Sequence, residues 1–146
     1  MLCDMAHEVQ IDRDADAVYR AISTQEGQAG SWTANNTMQP SVGSVVEFRF
    51  KSAPVPLRMR VDALEEGKLV RFTCLGDFPG WKDTTVSWEL APAATGSGTK
   101  VTFRHGELER AGYPPEALAS VNYTWGQVLG RLKAYVETGK PQPFLE

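Results

Sequence analysis

A stretch near the C-terminus, residues 115–138, constrains the fold of this chain more than any other feature of its sequence. Its large apolar residues recur at the i, i+3, i+4, i+7 spacing of a helix with one buried side: Leu118, Val121, Trp125, Val128, Leu129, Leu132 and Val136. At about 1.5 Å per residue, this helix would be roughly 35 Å long and would cross a whole small domain. Such a stripe requires a broad apolar partner elsewhere in the chain.

The preceding chain supplies that partner as a series of alternating apolar and polar residues. This period of two is typical of strands with one buried face, and it predicts six of them, at residues 5–11, 42–50, 57–63, 70–74, 85–90 and 99–105. The short connections between the later strands favour one antiparallel sheet with its apolar face covered by the long helix. We therefore predict an α+β fold in a single domain, residues 1–146, with a bent sheet around the helix and a pocket in the gap between them.

The segment between the first two strands is predicted to contain two short helices and a loop. Asp12 to Asp14 offers N-caps for the first helix, and Thr24 offers one for the second, which Gly27 is expected to weaken. Residues 31–41 lack any periodicity and contain one large side chain, Trp32. We predict a long loop over the sheet there.

Composition excludes several classes of function. The net charge of −3 and the pI near 5.4 give no electrostatic reason to expect a nucleic-acid partner. The chain has no run of about 20 apolar residues to span a membrane, and its start lacks the pattern of a signal peptide. Two cysteines, Cys3 and Cys74, are too few for a disulfide framework, so we expect a reduced, cytoplasmic protein.

His105 is the first candidate for chemistry. It follows Val101 and Phe103 on the inward face of the last strand, and His7 lies on the inward face of the first strand. The two imidazoles would come close together if these strands pair antiparallel. A titratable group on an apolar wall is a candidate acid, base or ligand anchor, with Glu107 as the nearest carboxylate in sequence, although a hydrogen-bonded core histidine has the same pattern. No metal-ligand spacing, nucleophile elbow or phosphate-binding loop is present, so we predict no metal and no cofactor.

Aromatic side chains predict an apolar pocket. The residues expected to line or rim it, together with the imidazole, are Trp32, Phe48, Phe72, Trp81, Phe103, His105 and Trp125. Tryptophans at loop edges, as predicted for Trp32 and Trp81, suit a partly wet rim, with plain core packing as the alternative. For Trp88 and Trp125, core packing is the simpler interpretation. Gly126 could leave space for the pocket or let another backbone approach the helix, and Tyr123 points away from the apolar stripe as a candidate subunit contact in a homodimer.

Several short motifs in a fixed order resemble a known family. They are Asp16–Ile22 after the first strand, Trp32, Val42-Gly43, Trp81 followed by Thr84–Leu90, Gly98–His105, and the stretch from Trp125 to Gly139. Their order and spacing resemble the START-like, helix-grip superfamily, also called SRPBCC or polyketide cyclase/dehydrase-like. Within it, the branch of homologues of a heat-shock chaperone ATPase activator is the most similar.

The resemblance implies both a fold and a kind of site. The fold is the helix grip, a curved six-stranded antiparallel sheet with two short helices and a long C-terminal helix on its concave face. The implied site is a deep pocket between sheet and helix that accepts small apolar or aromatic molecules. Ligand binding is therefore our first hypothesis. The alternatives are an enzyme of the polyketide cyclase/dehydrase type using His105 as acid or base, and a stress- or chaperone-related interaction module. The branch has no universal catalytic residues that could be carried over to this sequence.

Overall fold

The computed structural model describes residues 4–76, 80–94, 96–108 and 114–144. Its elements, in chain order, are β1 (Met5–Ile11), α1 (Ala15–Ser23), α2 (Gln25–Ser31), β2 (Val45–Phe48), β3 (Leu57–Glu65), β4 (Leu69–Cys74), β5 (Thr85–Pro92), β6 (Thr99–Gly106) and α3 (Pro115–Thr138). The predicted order of strands and helices is confirmed. None of the helices in these residues has the length and apolar character needed to cross a membrane.

The six strands form one open antiparallel sheet in the order β1-β6-β5-β4-β3-β2. The first strand pairs with the last, which is the condition under which the two histidines would come close together, with Met5 opposite His105 and His7 opposite Phe103. Since side chains alternate along a strand, His7 and His105 lie on the same face, two register positions apart. That face carries the core, and α3 lies across it in contact with β1 and α2. The architecture is the α+β helix grip.

The two short helices begin at the caps that the sequence indicates. The Asp14 carboxylate accepts the backbone N–H of Ala17 at 2.9 Å, and the Thr24 hydroxyl accepts that of Gly27 at 3.1 Å. Gly27 also has a packing role, because a Cβ at this position would lie 2.0 Å from the carbonyl oxygen of Ala21. Helices α1 and α2 therefore approach each other at a distance that only glycine permits.

The long helix α3 has the predicted boundaries and most of the predicted burial. It ends at Gly139, which adopts a left-handed conformation with φ of 77° and donates its N–H to the carbonyl of Tyr135 at 2.7 Å. The central part of its stripe is buried, whereas Leu118 and Val121 near its start are only partly covered. The N-terminal half of α3 is therefore less closely packed on the sheet than the centre of the helix is.

Two details differ from the sequence-based prediction. Strand β2 is shorter than residues 42–50, because after Phe48 the backbone of Arg49 donates to the carbonyl of Asn35 at 2.9 Å. The predicted loop after Trp32 thereby adds to the sheet: the N–H of Thr37 donates to Glu47 at 3.1 Å, which covers the outer edge of β2. Strand β3 contains a register shift between Val61 and Ala63, a β-bulge that interrupts the simple alternation.

Trp125 is 2% exposed and lies at the centre of the buried stripe. We expect Trp125→Ala to reduce the free energy of unfolding by about 3–5 kcal/mol, since it removes a large core side chain and leaves a cavity. Urea denaturation would measure this loss. The matched control is Asn122→Ala on the exposed side of the same helix, which should leave stability unchanged or raise it slightly. Equal midpoints for the wild type and Trp125→Ala would contradict the role of this stripe.

Candidate functional site

Trp125 is the centre of an aromatic cluster that joins α3 to the sheet. Its ring centroid lies within 6.4 Å of the centroids of five other rings: Phe103 at 4.6 Å, Trp32 at 4.8 Å, Trp81 at 5.9 Å, His105 at 6.0 Å and Trp88 at 6.4 Å. All five pairs are tilted or edge-to-face, and edge-to-face is an arrangement that aromatic quadrupoles favour. One side chain of α3 thus contacts β5, β6, the end of α2 and the turn before β5.

A row of aromatic rings fills the concave face of the sheet behind this centre. Phe48 meets Phe72 edge-on at 6.3 Å, Phe72 meets Trp88 at 5.7 Å, and Trp88 meets Phe103 at 5.3 Å. All four side chains are buried. Phe48, Phe72 and Phe103 therefore lie in the core between strands, and none of them lines the cavity in front of the aromatic row.

A cavity of about 310 Å³ lies in front of the aromatic row, between the β2–β3 loop and the N-terminal half of α3. Its walls are mostly apolar, with hydroxyl groups on Ser52, Ser120 and Thr124. The ten lining residues are Trp32, Phe50, Ser52, Ala53, Leu57, Trp81, Ser120, Val121, Thr124 and Trp125. Helix α3 leaves this space because its first turns are less closely packed on the sheet than its centre is. None of the ten lining residues is charged.

The structure divides the seven predicted pocket residues into two groups. Trp32, Trp81 and Trp125 border the cavity, whereas the phenylalanines and His105 lie behind it. Both loop-edge tryptophans are buried instead of forming a wet rim. Trp32 lies at the C-cap of α2 and stacks on Phe48, with 4.3 Å between the ring centroids. The prediction did not select Val121 or Leu57, although both lie on predicted inward faces.

His105 is fully buried, and both of its ring nitrogens have partners. The indole Nε1–H of Trp125 donates to His105 Nδ1 at 3.1 Å, and His105 Nε2 lies 2.9 Å from the hydroxyl oxygen of Thr84. A neutral imidazole carries one proton, and Nδ1 acts as the acceptor, so the proton is on Nε2 and is donated to Thr84. The Thr84 hydroxyl in turn donates to the backbone carbonyl of Trp81 at 2.6 Å.

Burial lowers the pKa of His105 to about 3, so the ring is neutral near pH 7. A general base needs a free lone pair within reach of the ligand. The lone pair of this imidazole is occupied by the indole of Trp125, and the ring does not border the cavity. This geometry gives no support to acid–base chemistry by His105 in the cavity.

Gly126 faces the second histidine, His7. A Cβ at Gly126 would lie 3.5 Å from His7 Cε1, and the imidazole is 6.3 Å from the ring of Phe103. Gly126 therefore faces His7 at ordinary van der Waals distance and does not line the cavity. Nε2 of His7 is shielded from solvent and has no hydrogen-bond partner among the described residues.

Cysteine and carboxylate groups form no second centre in the part of the chain that the structure describes. No group of three or more His, Cys, Asp or Glu residues there could hold a metal ion. Cys74 is a buried free thiol whose pKa burial raises to about 12. Cys3 lies outside the described residues.

Comparison with known families agrees with this architecture. The sequence model of the family described as Activator of Hsp90 ATPase homolog 1-like protein matches residues 12–137. The chain belongs to this family. The resemblance to the START-like superfamily, and to its branch of chaperone ATPase activator homologues, is thereby confirmed.

Solved structures show how widely the architecture of the Hsp90 ATPase activator homologues is shared. The solution structure of the Aha1 dimer from Colwellia psychrerythraea is 26% identical, with a TM-score of 0.80 over 94% of this chain and 98% of that one. A protein from Staphylococcus saprophyticus is 19% identical, with a TM-score of 0.74 over 96% of both chains. DynU16, from the dynemicin biosynthetic locus, is 24% identical, with a TM-score of 0.77 over 97% of this chain and 49% of that one. A search of curated proteins found no significant match.

Acid should destabilise this family member through His105. Its pKa is about 3 when folded, against an ordinary value of 6.5, so the unfolded chain takes up the proton first as the pH falls. The contribution of the neutral His105 imidazole to the free energy of unfolding is complete above pH 6.5. It is lost as the pH falls towards 3, by about 1.4 kcal/mol per pH unit.

The measurement compares the free energies of unfolding of the wild type and His105→Asn, which lacks this titration, in urea at pH 7 and pH 5. Their difference should shrink by about 2 kcal/mol at the lower pH. A difference that does not change with pH would contradict the burial of a neutral imidazole.

Proposed function

We propose that this protein binds a small, neutral, aromatic or apolar molecule in the cavity between the β2–β3 loop and α3. The observation that carries the proposal is the cavity itself, a space of about 310 Å³ walled by the three tryptophans Trp32, Trp81 and Trp125. Indole faces offer large, rigid apolar surfaces, and aromatic ligands stack on them at little cost in conformational entropy.

The size of the cavity limits the ligand. An engineered apolar cavity of about 150 Å³ binds benzene, so a space of about 310 Å³ has room for roughly two rings. The neighbouring surface crevice, lined by residues that include Asn35, Arg49 and Pro143, also contacts Phe50 and Ala53. A longer ligand could therefore extend along the β2–β3 loop.

The polarity of the walls favours a neutral ligand. A charged ligand would lose its hydration here without an opposite charge among the lining side chains, which is costly. The hydroxyl groups of Ser52, Ser120 and Thr124 can each donate or accept a hydrogen bond. A ligand with one or two hydroxyl or carbonyl groups on an aromatic body fits this arrangement best.

The two alternative functions have less support. Catalysis by His105 would require an imidazole that reaches the ligand, and this one is sealed behind Trp125. A chaperone-related interaction rests on the description of the family alone. The likeness to DynU16 extends to the fold and not to a reaction.

Binding can be tested with 2-naphthol, a neutral two-ring probe with one hydroxyl group. We expect it to quench tryptophan emission, and we expect Val121→Phe to weaken its binding by about tenfold or more, because the added ring fills the cavity. The control is Val136→Phe, which enlarges a partly buried valine on the same stripe, at a groove near the end of α3.

The expected pattern is weak binding by Val121→Phe and wild-type affinity for Val136→Phe, with the near-ultraviolet circular dichroism of both unchanged. Absence of saturable binding by the wild type in calorimetry would refute the proposal for two-ring ligands. Equal affinity in all three proteins would place the probe elsewhere on the surface.

We further propose that two copies of the chain associate. The Aha1 relative from Colwellia psychrerythraea was solved as a dimer, and Tyr123 on α3 is 64% exposed although it is large and aromatic. Light scattering coupled to size exclusion should give twice the 16.1 kDa chain mass, and Tyr123→Ala should shift the protein towards the monomer. A monomer at all concentrations would exclude the homodimer.

A further inference from the structure

The cavity wall at Trp125 has a defined orientation, and one hydrogen bond sets it. An indole ring has a single donor, Nε1–H, and in Trp125 it points away from the cavity to His105 Nδ1, 3.1 Å away. Trp125 borders the cavity, and its ring centroid lies 4.8 Å from that of Trp32. The direction of this N–H therefore decides which part of the indole a ligand meets.

The same imidazole also contacts the wall at Trp81. The two ring centroids are 4.4 Å apart in an edge-to-face arrangement, and His105 Nε2–H donates to Thr84, whose hydroxyl donates to the carbonyl of Trp81. The turn from Trp81 to Thr84 is also tied to the end of β4, since Cys74 donates to the carbonyl of Thr84 at 2.8 Å. His105 thus connects the side chain of one wall residue with the backbone of another.

Loss of the acceptor at Nδ1 would change the cavity. A buried N–H without a partner is costly, and the cavity is the open space that this indole borders. Trp125 would then turn its N–H towards the cavity and reduce the apolar space. A leucine at position 105 is close to asparagine in shape but cannot accept this hydrogen bond. An asparagine presents its side-chain oxygen near the position of Nδ1.

We propose that His105 is a positioning residue for the ligand cavity, which holds the indoles of Trp125 and Trp81 in the orientation that keeps the aromatic walls open. This role rests on the proposed function, but it acts on the free protein and can be observed there. His105 does not touch the ligand. It determines the shape and polarity of the surface that the ligand contacts.

The test compares His105→Asn with His105→Leu in the full chain. The first observable is the indole ¹H–¹⁵N resonance of Trp125 in the free protein, together with nuclear Overhauser contacts between its ring and Val121. We expect both to stay near their wild-type values in His105→Asn. In His105→Leu the resonance should move upfield and the contacts should change. The second observable is the dissociation constant for 2-naphthol, expected to rise about tenfold in His105→Leu and less than about threefold in His105→Asn.

Leu132→Ala is the control for a general loss of stability. Leu132 is buried in the same helix away from the cavity, so its truncation should lower the melting temperature and leave the dissociation constant unchanged. The positioning role would be overturned if both His105 variants weakened 2-naphthol binding to the same extent and this loss of affinity followed their loss of melting temperature. An unchanged Trp125 resonance in His105→Leu would also overturn it, whether or not 2-naphthol binds.

Failure of the two proposals can be told apart. If wild-type protein binds no 2-naphthol while the indole resonances respond as expected, the proposed function fails and the positioning role stands. If His105→Leu does not fold, Thr84→Val replaces it, because valine removes the acceptor for Nε2–H with little change in shape. We then expect the imidazole ¹⁵N shifts to report a mixture of tautomers and the Trp125 resonance to broaden, and wild-type values for both would refute the proposal.

Discussion

The packing of Trp125 on the sheet is the interaction on which the rest of this structure depends. Burial of its large apolar ring is favourable. Burial of its N–H is costly unless the N–H donates to an acceptor. His105 supplies that acceptor from β6 while remaining neutral. The helix, the sheet and the cavity wall therefore share the polar contact between Trp125 and His105, which continues through Thr84 to the backbone of Trp81.

Most of the fold could be predicted from the sequence, because periodic patterns report directly on buried faces. The stripe of α3 and the caps at Asp14 and Thr24 correspond to local signals, whereas the pairing of β1 with β6 has no local signal. The pairing of Asn36 with Phe48 could not be predicted, since residues 31–41 have no alternation of their own. Nor could the close approach at Gly27, which depends on how two helices meet.

The candidate site could be predicted only in part, for a physical reason. Alternation shows that a side chain points inward, but it does not show whether another side chain or open space lies in front of it. Phe72 lies on the inward face of a predicted strand, and Val121 lies on the apolar stripe of the predicted helix. Yet the phenylalanine is covered by neighbouring rings and the valine borders the cavity. His105 shows the same limit, because the partner that occupies its lone pair is on α3, 20 positions later in the chain.

The pairing of β1 with β6 also has a consequence for synthesis on the ribosome. The N-terminal strand has to wait for its neighbour in the sheet until residues 99–106 have been made, and the aromatic face has to wait longer for α3. Until that helix leaves the exit tunnel, Phe48, Phe72, Trp88 and Phe103 form an uncovered apolar surface. The nascent chain therefore exposes this apolar surface until α3 docks, and the docked helix completes the core and the cavity.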